Sequence, residues 1–247
     1  MISDLHTLSP RGVHATLAVR EDTNDAATIH STFWLPGFVQ LHDEYGLADL
    51  HTDGWVVDIG AHVGSVALAV ALDNPQARVL AVEAVPENVE VLRENVRRIG
   101  AEDRITVISA AAGAESDWTA VIRYGPYEQP GIPKQHAMES RFIGNLFRPH
   151  GRRGTEKVVE CVSLSRLLDA HGVDRVAFMK IDCEGCEWGF LASPAIARVD
   201  RIVGEYHDHG AAAIRALLDA THAVEITHED GGFGLFRAVR LDAGARP

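Results

Sequence analysis

The sequence predicts an α/β fold around a mostly parallel sheet, and three observations carry that prediction. From residue 55 onward, short apolar runs alternate with helix-forming stretches, the rhythm of strands joined by right-handed crossovers. Residues 55–64 (WVVDIGAHVG) join one such run to a helix-forming stretch through a glycine turn. The chain closes on two β-type runs joined by HEDGGFG, whose turn residues suit an antiparallel hairpin.

Residues 13–20 and 27–34 read as two short strands, with 21–25 as the turn between them. Residues 38–50 (FVQLHDEYGLADL) read as a helix broken at Gly46. This opening region, 1–54, is expected to cap one end of the sheet or the mouth of a pocket in the main domain, 55–247. Residues 65–72 (SVALAVAL) are apolar enough for a helix packed on a sheet, and Asp73-Asn74-Pro75 stops it. Residues 79–84 form the next strand. In the stretch that follows, Val89, Leu92, Val96 and Ile99 recur at spacings of three and four, one apolar helical face. Glu87 and Glu90 near its start and Arg97 and Arg98 near its end suit the helix dipole, and Gly100 suits its C-terminal cap. Strands are expected at 105–111, 118–124, 157–162, 176–182 and 201–207, with helices at 164–171 and 211–221. The final hairpin is expected from 224–227 and 235–241.

The turn at 55–64 organises the chemistry. Gly60 and Gly64 let the backbone turn tightly, and Glu83 closes the second strand. Strand, glycine turn, helix, strand and acid form the layout of a nucleotide-type pocket, with the acid on the ribose hydroxyls. A dinucleotide site asks for G-x-G-x-x-G, but His62 and Ser65 stand where the next two glycines would be. The pattern from Asp58 through Gly60 to Gly64, D-x-G-x-x-x-G, is the looser turn of S-adenosylmethionine binding. The amino-acid end of that ligand is expected to meet backbone groups at the turn and the helix N-terminus.

A chain of 247 residues with 46% hydrophobic residues can build one α/β domain with a sizeable core. A net charge of −12 argues against a nucleic-acid partner. No stretch reaches the roughly 18 apolar residues of a membrane span, and the opening MISDLHTLSPRG lacks a signal-peptide pattern. A cytoplasmic protein is expected, and the sequence carries no signal of an oligomeric state. The segment of about 124–156, rich in proline, glycine and aromatics and ending on Arg148, Arg152 and Arg153, reads as a mobile flap over an acceptor site or as a plain surface insertion.

The motifs VVDIGAHVG, AVEAVPENVEVLRENV, LSRLLD with FMKIDCEGCEWGFL, and IVGEYH occur together and in order. On these the chain resembles the FkbM family of S-adenosylmethionine-dependent methyltransferases, over roughly residues 22–207. The resemblance implies a class I methyltransferase fold, a seven-stranded, mostly parallel, Rossmann-like sheet whose last pair is an antiparallel hairpin. It implies S-adenosylmethionine as cofactor and a small-molecule acceptor, with a hydroxyl oxygen of a small molecule or glycoside methylated in natural-product biosynthesis. N-methylation and cofactor binding without catalysis are the alternatives. His62 stands where the family often has Asn, and Ala84 where it often has Pro.

Carried over by motif, Asp58, Gly60, His62 and Gly64 shape the cofactor pocket, Glu83 accepts from the ribose, and Ala111 lies near the adenine. Asp182, at the carboxyl end of a central strand, lies near the reactive methyl group. A hydroxyl acceptor must lose its proton, and Asp182, Glu184, Glu205 and His207 are the groups offered. Glu205 and His207 share one face of a strand, and His207 is the expected proton acceptor because imidazole titrates near neutrality. Glu184 and Glu187 suit equally well the capping of the helix that begins near Gly185. Asp182, Glu184, Glu205, His207, Asp208 and His209 are residue types that can ligate a metal, but no metal is expected. Cys183 and Cys186 read as packing residues rather than a redox pair, and a lone C-x-x-C does not make a zinc site.

Overall fold

The computed structural model describes residues 1–21, 23–35, 43–124, 138–141 and 155–241. It begins with an antiparallel hairpin of β1 (Ile2–Leu8) and β2 (His14–Arg20). Helix α1 (Asp25–His30) follows, where 27–34 was expected to be the second strand. The strand that pairs with β2 is instead β1. The reason lies in the buried positions: Ile29 and Phe33, four apart, both face the core. Asp25 is fixed at the head of the helix by Arg20, whose N, Nε and Nη2 donate to its carboxylate at 2.8–2.9 Å. The helix expected over 38–50 is absent from 43–50. There the Asp43 carboxylate accepts from Leu47 N and Ala48 N and folds the chain into turns.

Next come β3 (Trp55–Ile59), α2 (Ser65–Asp73), β4 (Arg78–Glu83), α3 (Pro86–Arg98) and β5 (Ile105–Ser109). The strand expected over 105–111 breaks at Ala110, whose N–H donates to Glu83 O. Beyond it, β6 (Ala111–Ala112) enters a second, four-stranded sheet with β7 (Thr119–Tyr124), β8 (Met138–Arg141) and β9 (Thr155–Val162), in the order β6-β9-β7-β8. The expected flap lies for the most part outside the described residues. The chain returns through α4 (Leu164–Ala170), β10 (Val176–Ile181), α5 (Glu187–Leu191), β11 (Arg201–Tyr206), α6 (Ala211–Leu218), β12 (His222–Asp230) and β13 (Phe233–Arg240).

The main sheet has seven strands in the order β12-β13-β11-β10-β3-β4-β5. The five strands β5, β4, β3, β10 and β11 run parallel, and β12 and β13 form the antiparallel closing hairpin. Residues 65–71 of α2 are all buried, as expected of a helix apolar on every side. One side of α2 meets the sheet, and the other meets Leu17, Ile29 and Phe33 of the N-terminal region in a single cluster. The opposite face of the sheet packs on α4, α5 and α6 through Leu164, Phe190 and Ile214. The chain steps outward from β3 to β4 and β5, then crosses back to β10 on the other side of β3. That reversal opens a crevice at the carboxyl ends of β3 and β10, where ligands bind in such sheets.

Candidate active site

The crevice is shaped first by main-chain contact. Gly60 leaves β3 at φ +74°, and a Cβ there would stand 1.7 Å from Asp182 O at the end of β10. Gly64, at φ +100°, has no room for one either, with Leu92 Cδ1 2.5 Å away. Asp58 is fully buried and does not line the crevice. Its Oδ2 accepts from Ala67 N in the first turn of α2 at 3.0 Å, and its Oδ1 lies 3.6 Å from Lys180 Nζ. The amides of the turn are largely spoken for. Gly60 N and Ala61 N both donate to Val82 O, His62 N to Glu83 Oε2, and Gly64 N to Ala61 O.

Glu83 is 5% exposed and lines the crevice. Its carboxylate accepts from His62 N and Val85 N at 2.8 Å and from Asn88 Nδ2 at 3.2 Å. Burial raises its pKa further than those three donors and Lys180 lower it. A carboxylate has about four acceptor sites, so one remains for a ligand. Asn88 is itself held, because Arg20 Nη2 donates to its Oδ1 at 2.6 Å. The hairpin strand β2 thus reaches the Glu83 carboxylate through Arg20 and Asn88.

Lys180, on β10, is the residue that motif reasoning passed over, although it stands in the quoted KIDCEG run. It is 4% exposed, lines the crevice, and donates to Gly60 O at 2.8 Å and Ile59 O at 3.2 Å. Its ammonium lies 3.9 Å from Asp182 Oδ2 as well as beside Asp58. Burial disfavours the ammonium, but the charges of Asp58, Asp182, Glu83 and Glu205 outweigh that and hold its pKa up. For Asp58 the balance runs the other way, burial raising its pKa more than Lys180 and Ala67 lower it. The surrounding carboxylates thus favour the Lys180 ammonium and disfavour the Asp58 anion.

The crevice holds a cavity of about 380 Å³, within the usual range for small-molecule sites. The turn supplies Gly60, His62 and Ser65 to its wall. The ends of β10 and β11 supply Lys180, Asp182, Cys183, Glu184 and Glu205. The N-terminal region supplies Asn24, Ala27, Thr28 and Ser31 around α1, with Glu44 and Tyr45. Tyr45 Oη donates to Asp182 Oδ2 at 3.4 Å. Ala111 does not line this cavity. It is buried among Ala84, Val85, Ala120 and Ile122.

His207 stands just behind the wall. Its Nδ1 donates to Oε1 of the fully buried Glu187 at 2.9 Å. Its Nε2 lies 3.5 Å from Glu184 Oε2 and 3.8 Å from Glu205 Oε2. Burial disfavours the charged ring, but the Glu187 hydrogen bond and the Glu184, Glu187 and Asp182 charges raise it to about 9. Burial and the Asp182 charge push the Glu205 carboxyl up to about 8. Glu187, which the sequence offered as a helix cap, is the partner of His207 and of Cys183 N, the latter at 3.4 Å.

Cys183 and Cys186 depart from expectation. Both are buried, but they are joined as a disulfide. The left-handed pair Glu184 (φ 55°) and Gly185 (φ 101°) turns the loop so tightly that the two Cα atoms stand 5.6 Å apart, within bridging range. Cys161 is free and buried.

Comparison with known proteins bears on what this crevice serves. The family model of the methyltransferase FkbM domain matches residues 58–233. Methyltransferase sdnD of Sordaria araneosa is 25% identical over 163 residues, 58% of this chain and 61% of that protein. The release factor glutamine methyltransferase of Neisseria gonorrhoeae is 26% identical over 210 residues, covering 78% of this chain and 76% of the other. Among solved structures, one described as a putative rRNA-methylase from Clostridium thermocellum matches with a TM-score of 0.48 at 12% identity, over 81% of this chain and 94% of that one. With the family match spanning well over half its length, the chain belongs to the FkbM family of methyltransferases, and S-adenosylmethionine is its cofactor.

Proposed function

We propose that this protein transfers the methyl group of S-adenosylmethionine to a hydroxyl oxygen of a small molecule or glycoside, in natural-product biosynthesis. The chemistry of the cavity suits the cofactor. Glu44, Glu83, Asp182, Glu184 and Glu205 line it against one ammonium, Lys180, an environment for a ligand with a sulfonium and an ammonium. A pyrophosphate would meet those carboxylates and a turn whose amides at Gly60, Ala61, His62 and Gly64 already have acceptors.

When bound, S-adenosylmethionine supplies an electrophilic methyl group on a sulfonium. The chain's own residues do the rest. Glu83, steadied by His62 N, Val85 N and Asn88, accepts from the ribose. Gly60 and Lys180 clamp the turn against the end of β10. Asp182 and Glu205 face the cavity beside that clamp, and Asp182 receives the hydroxyl proton, with His207 setting the position of the carboxylates from behind. His207 was the expected proton acceptor, but a ring that keeps its own proton to about 9 is poorly placed to take another at neutral pH. Ala27 and Thr28 of α1, with Glu44 and Tyr45, shape the acceptor end.

The observation that carries this reading is the convergence of Asp182, Glu205 and His207 within 4.8 Å at the ends of β10 and β11. The test is incubation with methyl-labelled S-adenosylmethionine and a panel of hydroxylated and amine acceptors, the methylated atom being identified by carbon NMR. Label on oxygen is expected, and label only on nitrogen refutes the oxygen assignment. His207→Ala is expected to lower turnover by about a hundredfold, the cost of misplacing a reacting group by about 1 Å, with S-adenosylhomocysteine affinity kept within about twofold. Full turnover in that variant would show that His207 does not position the carboxylates.

N-methylation is the second reading, and the carboxylates of the cavity favour it by their attraction for an ammonium-bearing acceptor. The named relatives divide on this point. O-methyltransferase imqG of Aspergillus flavus is 36% identical over only 56 residues, whereas the longer match from Neisseria acts on glutamine by its name.

A further inference from the structure

We infer that Asp182, Glu205 and His207 form a binding site for one divalent cation of the manganese type. One carboxylate oxygen from each acid and one ring nitrogen lie within 4.8 Å of one another, and two of the three side chains line the cavity wall. Two oxygens and one imidazole are a donor set for a hard-to-borderline first-row ion, with open positions left toward the cavity.

The second observation is the environment of His207. Its Nδ1–H is held by Glu187 Oε1 at 2.9 Å, so Nε2 is the nitrogen turned to the carboxylates. A ring nitrogen tied to a buried carboxylate, with the other nitrogen presented, is how metal-ligating histidines are ordinarily oriented. Glu187 is fully buried, and its Oε2 has no hydrogen-bond partner among the described residues.

The third is charge. Asp182, Glu184, Glu187 and Glu205 surround a single imidazole. The nearest ammonium, Lys180, is shared between Asp182 and Asp58. Carboxylates brought this close repel one another when ionised, and either protons or a cation relieve that repulsion. A bound cation answers that excess and, by Lewis acidity, would bind and acidify an acceptor hydroxyl. In that arrangement the ion lowers the pKa of the hydroxyl, and the Asp182 oxygen not engaged by the ion receives its proton. This rests on the reading of the crevice as the acceptor site, but not on which acceptor enters it.

The test is calorimetric titration of the full chain with manganese chloride, beside a titration with S-adenosylhomocysteine. Wild type is expected to take up one equivalent of manganese. His207→Gln and Glu205→Gln are each expected to weaken that uptake at least about tenfold, and Glu187→Gln, which acts through His207, by about 10–100-fold. The two ligand variants should keep the wild-type circular dichroism spectrum and a cooperative unfolding transition, which shows that they are folded. Absence of saturable manganese uptake by wild type overturns the proposal, as does uptake that both ligand variants leave unchanged. Loss of S-adenosylhomocysteine binding by wild type overturns the cofactor reading instead, so the two failures are separable.

Discussion

Replacing Lys180 by Met tests how the crevice is held together. Lys180 Nζ and Asp58 Oδ1 are 3.6 Å apart, with side chains 6% and 0% exposed. At an effective dielectric near 20, two unit charges at that distance attract by about 4–5 kcal/mol, part of which offsets the cost of burying them. The variant removes that attraction and the hydrogen bonds to Ile59 O and Gly60 O, and leaves Asp58 with Ala67 N as its remaining donor. Removing one member of a buried pair costs about 3–5 kcal/mol. Lys180→Met is therefore expected to lose about that much in urea unfolding followed by tryptophan fluorescence. The double variant Asp58→Asn, Lys180→Met removes both charges and should recover more than half of the loss. A single variant that loses less than about 1 kcal/mol, within the range of exposed pairs, refutes the reasoning, and so does a double variant no more stable than the single one.

Glu83→Ala is expected to weaken S-adenosylhomocysteine binding by about 10–100-fold, the range for a hydrogen bond to a charged group. Calorimetry that finds wild-type affinity would place the ribose elsewhere. Burial raises the Asp25 carboxyl, but its hydrogen bonds from Arg20 outweigh that and leave it below its usual 3.8. A depressed folded-state pKa means that the stabilisation is present above the unfolded value and is lost as pH falls through the folded one. Wild type should thus exceed Asp25→Asn in stability at neutral pH, and the gap should close only below pH 3.8. Equal acid-unfolding curves would dismiss the Arg20–Asp25 pair as a contributor. Of the three cysteines, only Cys161 should react with an alkylating agent in the denatured, unreduced chain, and all three after reduction. Mass spectrometry showing three adducts without reductant would contradict the Cys183–Cys186 bridge.

The strands and helices from β3 to α3 were legible because each is coded within about ten residues. The apolar run at 55–57, the glycines at 60 and 64 and the 3–4 spacing from Val89 to Ile99 need no distant partner to declare themselves. The opening region was misread for the converse reason. Residues 27–34 are β-permissive in isolation, but Arg20 caps Asp25, and Ile29 and Phe33 find the surface of α2, so the segment coils into a helix. Tertiary burial overrode a weak local preference.

The sequence by itself determined the sheet's βαβ rhythm, its closing hairpin, the turn from Asp58 to Gly64, and Glu83 as the acid at the end of the second strand. All of these follow from periodicity and from backbone demands of glycine that act locally. Only the tertiary structure decided which charges meet. Lys180 faces Asp58 because the parallel register sets those two positions side by side on β10 and β3. His207 turns to Glu187 because β11 and the start of α5, 20 residues apart, converge at one end of the sheet. Asn24, Thr28 and Tyr45 became cavity wall because the N-terminal region packs against α2 in one cluster. Such pairings depend on strand order and on side-chain directions across distant segments, which no window of sequence contains.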